Sequence, residues 1–254
     1  ESLKNNTITP NAFASASKDY TYYEGLAAYT DGDNFDKALA EEYKAAAIDE
    51  LTAAGATFPI KMLMCYNPTS ANWAQECQVV EQQIETVLGA DYVDIIIQAG
   101  PETGFLGAIR RTGNYAFMKC NWGADYADPE TWTDPFSTDS SYSFIFKSTD
   151  PETQALYAEY TELVDAAKAI TDDMDARYSA FAKAEAFLLD HAFAVPFSIS
   201  NRSYQMCNLN VFEGQYASFG LANQRYKDQH LYSSSLGLEE YQAAYAEWQS
   251  KKAG

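Results

Sequence analysis

The sequence has 254 residues, long enough for one large domain or a domain with an appendage. Hydrophobic residues make up 47% and charged residues 21%, which is ordinary globular usage and argues against a disordered chain. A formal net charge of −19 repels phosphate backbones and so argues against nucleic-acid binding, and no apolar run reaches the roughly 20 residues that span a bilayer.

Residues 1–34 are rich in Asn, Thr, Ser, Tyr and Gly, show no sustained period, and read as loop with short extended pieces. Phe35, Leu39, Tyr43, Ala47 and Leu51 then recur at helical spacing, with caps among residues 33–36 and a stop at Gly55. The apolar run Ile60–Tyr66 before Asn67-Pro68 predicts a buried strand ended by a turn. Trp73, Cys77, Val80, Ile84 and Val87 line one face of an amphipathic helix that Gly89 stops. Residues 92–98 predict a second buried strand, residues 102–111 a short helix, and residues 115–121 a third strand. This alternation argues for an α/β fold with a mixed, mostly parallel sheet flanked by helices.

Residues 122–150 lose all periodicity and read as a long loop region, a feature that in compact domains tends to carry function. Leu156, Tyr160, Leu163 and Ala167 mark one helix; Tyr178, Phe181, Ala184, Phe187 and Leu188 mark the next, with Asp175 as its expected cap. Residues 194–199 and 202–209 read as extended, residues 210–236 as irregular, and residues 239–248 as a terminal helix.

The cysteines Cys65, Cys77, Cys120 and Cys207 form no C-x-x-C pair, and His191 and His230 are the only histidines. Zinc frameworks are therefore excluded, and four buried thiols are the expectation. Residues 31–36 faintly resemble a calcium loop, but Phe35 stands at a ligand position and Asp36 where Gly is required, so helix capping is the better reading. No G-x-S-x-G elbow accompanies the two histidines, and Asp125 with Asp128 is better read as turn chemistry than as a glycosidase pair. The chain is read as no enzyme, with no cofactor and no metal.

Four stretches in order resemble the oligopeptide- and dipeptide-binding proteins of bacterial ABC importers. They are residues 47–55 leading into the strand and Tyr66-Asn67; the helix and strand over 71–98; Trp122-Gly123-Ala124-Asp125-Tyr126-Ala127-Asp128-Pro129, similar to that family's Trp-x-Ala-Asp-Tyr-x-x-Pro motif; and Ala184-Glu185 with Leu188-Leu189 running into residues 194–197. The likeness covers about residues 35–235. It implies a type II periplasmic-binding-protein-like fold, with residues 1–199 as lobe two and residues 200–254 as a segment returning to lobe one plus a terminal helix. It further implies a missing N-terminal lobe one, a peptide ligand, a membrane permease as partner, and an extracytoplasmic location, lipid-anchored through the missing N-terminus. An oligosaccharide or a metal chelate is the alternative ligand within the same superfamily.

By this resemblance Asp125 pairs with the peptide ammonium, and the matched motif favours that role over a turn cap. Trp122 is either a wall of the ligand cleft or core packing, and Tyr126 lines the same wall. Arg110 and Lys119 stand near positions that meet a ligand carboxylate in relatives, or are solvated charges. Asn67 either bonds the peptide backbone or closes the turn with Pro68.

Overall fold

The computed structural model describes residues 2–4, 6–142, 147–200, 208–214 and 226–252. Its α/β part is a β–α–β unit. Strand β2 (Ile60–Tyr66) pairs in parallel with β3 (Val93–Ala99), with Ile60 opposite Val93 and Tyr66 opposite Ala99. Helix α3 (Trp73–Leu88) connects them and lays Cys77, Val80, Ile84 and Leu88 against Met64, Val93 and Ile95. Its Glu85 also reaches the sheet, where a carboxylate oxygen accepts the Ile95 amide at 2.9 Å. Beyond β3, a π-helical turn, Leu106–Arg110, packs Phe105 and Ile109 on Cys65.

The predicted third strand is not formed. Phe117 makes one parallel bridge to Met64, and the Ala116 amide donates to the Leu63 carbonyl at 2.8 Å, but the residues that follow leave the ladder. Lys119 pairs instead with Glu76 on α3, and Arg110 reaches Cys120.

The larger core is helical. Helix α5 (Pro151–Lys168) starts at Asp150, whose carboxylate accepts the Thr153 amide at 2.8 Å, with Pro at the first helical position where no amide is missed. Helix α6 (Met174–Asp190) is capped by Asp173, which accepts the Ala176 amide, and not by the expected Asp175. Asp175 accepts from Ser17 and Tyr23 of the opening segment instead. Tyr160, Val164 and Ala167 of α5 meet Phe181, Ala184 and Leu188 of α6, with Val164, Phe181 and Leu188 each contributing about 1.5–3 kcal/mol by burial.

The opening residues complete this core rather than looping over it. Tyr20 and Leu26 are fully buried against α5 and α6. Asp19 holds the turn over residues 20–22 by accepting the Thr21 amide and hydroxyl, and helix α1 (Ala27–Thr30) follows. Strand β1 (Ser2–Lys4) pairs antiparallel with β4 (Ser198–Ser200), so the chain start is tied to the segment after α6.

Helix α2 (Lys37–Ala53) is present and capped by Asp36, which accepts the Leu39 amide at 3.0 Å; Phe35 lies ahead of it. Among the described residues its apolar stripe is covered only in part: Ala47 and Leu51 are half-buried, no residue of α2 is fully buried, and Tyr43 is 66% exposed. Residues 122–150 are partly ordered into helix α4 (Glu130–Thr133) and a 3-10 turn over Asp134–Phe136, with Thr131, Trp132 and Thr133 buried. Helix α7 (Leu238–Lys252) packs Tyr241, Tyr245 and Trp248 around Phe212. Cys65 and Cys77 are buried as expected, whereas Cys120 is exposed; Cys207 and most of residues 202–209 lie outside the described residues.

Candidate ligand-binding loop

The candidate residues follow the carboxyl ends of the parallel chain segments. Asn67 follows β2, Arg110 lies in the turn after β3, and Lys119, Trp122, Asp125 and Tyr126 come after the Phe117 bridge. Ligand sites of open α/β sheets lie at these ends.

Residues 122–128 have no regular secondary structure, so other contacts must hold them. Thr131 of α4 supplies two. Its carbonyl accepts the Trp122 indole N–H at 2.6 Å, and its Oγ1 accepts the Asp125 amide at 3.1 Å. The Trp122 ring stands edge-on to Tyr142, centroids 4.6 Å apart. Tyr126 is 49% exposed, and burial of its hydroxyl followed by Glu130, Asp134, Asp128 and Asp125 pushes its pKa up to about 12.

A third anchor comes from α6. Arg177, only 9% exposed, donates from Nε to Asp128 Oδ2 at 2.9 Å, and from Nη2 to Asp128 Oδ1 at 3.0 Å and Glu130 Oε2 at 2.7 Å. Its Nη1 donates to the carbonyls of Ala167, Lys168 and Ile170 at and just beyond the end of α5. The Asp128 hydrogen bond is the foremost cause that raises its pKa, so it stays charged. Lys168 bonds Asp134 at 2.9 Å in the same way.

Four carboxylates therefore fall within one short stretch: Asp125, Asp128, Glu130 and Asp134. Arg177 and Lys168 pair with three of them. Asp125 is exposed, and among the described residues its carboxylate has no hydrogen bond and no ion pair.

The other candidates are engaged elsewhere. The Asn67 side chain accepts from the Thr69 amide at 3.0 Å and hydroxyl at 2.8 Å, closing the turn after β2. Lys119 bonds Glu76 and sits 5.7 Å over the Trp73 ring. Arg110 Nη1 lies 3.4 Å from Cys120 Sγ. The sequence reading missed Arg177 and Thr131. A signal for Arg177 was present, because a cation in the first turns of a helix opposes the dipole and so calls for carboxylate partners.

No protein-family model matches the chain. It is 31% identical over 235 residues to the oligopeptide-binding protein AmiA of Streptococcus pneumoniae, across 87% of this chain and 35% of that protein. It is 28% identical over 234 residues to the oligopeptide-binding protein SarA of Streptococcus gordonii, with the same coverage of 87% and 35%. The chain thus spans about a third of the length of these curated relatives. Among solved structures, that of a peptide-binding protein of a peptide ABC transporter superposes with a TM-score of 0.61 at 24% identity, over 78% of this chain and 81% of that one. Listeria monocytogenes OppA, solved with bound peptide, superposes with a TM-score of 0.61 at 20% identity, over 91% of this chain and 40% of that one. These superpositions establish the type II binding-protein fold.

Proposed function

Because the chain is homologous to part of the oligopeptide-binding proteins, we propose that it forms one lobe of the capture component of an ABC importer, with peptides as the ligand. The missing lobe one closes over the loop of residues 122–128, a membrane permease receives the ligand, and the protein works on the outer face of the bacterial cytoplasmic membrane. The role is binding, not catalysis.

One observation carries the ligand class: among the described residues, Asp125 is the carboxylate of its cluster left without a cation. A peptide brings an α-ammonium, and a carboxylate that closure removes from water holds such a group by a charge-assisted hydrogen bond. Trp122 and Tyr126 flank it with aromatic surface for ligand side chains. Arg110, Lys119 and Asn67 are assigned to the ligand's carboxylate and backbone. For Lys119 this requires exchange away from Glu76, an exposed pair that is easily given up.

The test is calorimetry of the full two-lobed protein against a mixed peptide library and the same library N-acetylated. Binding that disappears on acetylation supports an ammonium site at Asp125. Binding that survives keeps the peptide class and removes Asp125 from the ammonium. No heat with either library makes an oligosaccharide or a metal chelate the leading ligand.

A further inference from the structure

The structure assigns Arg177 as the positioning residue that pairs with two of the site's three carboxylates and leaves Asp125 the one without a cation partner among the described residues. This assignment rests on the peptide-binding reading and names what sets its charge selectivity. Arg177 lies on α6, and its guanidinium ends on Asp128 and Glu130, three and five residues beyond Asp125. The fork fixes the plane of Asp128, and the Nη1 bonds to the end of α5 fix the fork. The loop is thereby clamped just ahead of Thr131, which holds the Asp125 amide. The same bonds engage both neighbouring carboxylates and offset one of their two charges, so the unpaired carboxylate that a ligand meets is that of Asp125.

Two effects follow when Arg177 is replaced. The loop loses its clamp, which weakens every ligand. The site also becomes more negative by one charge, with Asp128 and Glu130 no longer paired, which specifically favours a ligand with a second positive charge near its N-terminus. Only the second effect changes a ratio of affinities, and a purely structural role for Arg177 does not produce it.

The experiment uses the full two-lobed protein with three probes: the mixed library, the N-acetylated library, and the library extended by an N-terminal Lys. Arg177→Gln is expected to weaken the mixed library about tenfold or more, the scale of a lost charge-assisted fork, while shifting the ratio toward the Lys-extended library. Adding Glu130→Gln to Arg177→Gln returns the site to its wild-type net charge and is expected to restore the wild-type ratio without restoring affinity. Equal weakening of all probes by Arg177→Gln, or a ratio that the double variant fails to restore, overturns the assignment. If the wild type binds none of the three probes, the peptide reading fails instead. The clamp is then read by amide hydrogen exchange: a selective rise at Asp125 in Arg177→Gln, with the α6 amides unchanged, supports it, and exchange equal to wild type overturns it.

Discussion

Arg177 and Asp128 meet across 49 residues of sequence as a two-point fork, with Nε 2.9 Å from Oδ2 and Nη2 3.0 Å from Oδ1. Both side chains are largely withdrawn from water, and Glu130 shares the guanidinium. Removing one partner leaves the others as buried charges without compensation. Arg177→Ala is therefore expected to lower the unfolding free energy by about 3–5 kcal/mol in urea titrations. Arg177→Lys keeps the charge without the fork and should fall between. A loss below about 1 kcal/mol would place the network with surface ion pairs that contribute little.

The opening segment passes close over α6 at Gly25, whose φ is +86°. A Cβ built there comes within 3.2 Å of the Ala186 Cβ, and the backbone conformation itself disfavours L side chains. Gly25→Ala should cost about 1–3 kcal/mol, combining overpacking with the positive φ. Thermal unfolding checks this, and a melting temperature equal to wild type would mean that the segment does not pack on α6 as described.

The elements that sequence made legible are those with a period and a local cap. Ile60–Tyr66, α3, α5 and α6 carry their apolar spacing and their Asp or Gly stops within a few residues of each other. What was not legible depends on partners far along the chain. Ile8 and Thr9 read as loop residues because their meaning lies in Glu185, 176 residues beyond Thr9. Residues 115–121 have strand composition, but their side chains pair with α3 and the π-helical turn, so one bridge is all that forms. Periodicity marked the apolar stripe of α2 but does not say what covers it, and among the described residues its first part, Phe35, Leu39 and Tyr43, is exposed. At the site, the motif placed Asp125, Trp122 and Tyr126 on one loop. The residues that hold that loop came only from the three-dimensional contacts.

Asp125→Ala in the full two-lobed protein is expected to weaken peptide binding by about 2–5 kcal/mol, the range for losing one member of a desolvated charge pair. Folding stability should hardly change, since the carboxylate has no partner among the described residues. An unchanged dissociation constant by calorimetry would remove Asp125 from the site. Thr131→Val is the complementary change. It removes the hydroxyl that accepts the Asp125 amide but keeps the carbonyl that accepts Trp122, and should cost about 1 kcal/mol of stability.

Glu185 gives the fold a pH dependence of definite sign. It is fully buried, and burial raises its pKa from 4.5 to about 7, against the pull of hydrogen bonds from Thr9, Ile8 and Tyr20. Between these values the folded chain holds a proton that the unfolded chain has released. Its contribution is therefore complete below about pH 4.5 and is lost as pH rises through about 7. The span corresponds to about 3 kcal/mol at most, at 1.36 kcal/mol per unit. Tyr20 and Tyr160, the titratable groups that face Glu185, stay neutral throughout because burial raises their pKa values too. Asp150, Asp175 and Glu213 act in the opposite sense, since hydrogen bonds lower their pKa values and their stabilisation disappears only in more acidic solution. Urea midpoints should thus rise as pH is lowered from 7.5 to 5. Glu185→Gln should flatten this rise, because the amide keeps an acceptor for the Ile8 and Thr9 amides and donates toward the Thr9 and Tyr20 hydroxyl oxygens. A wild-type midpoint that falls over the same interval would mean that the hydrogen bonds outweigh burial and Glu185 is ionised when folded.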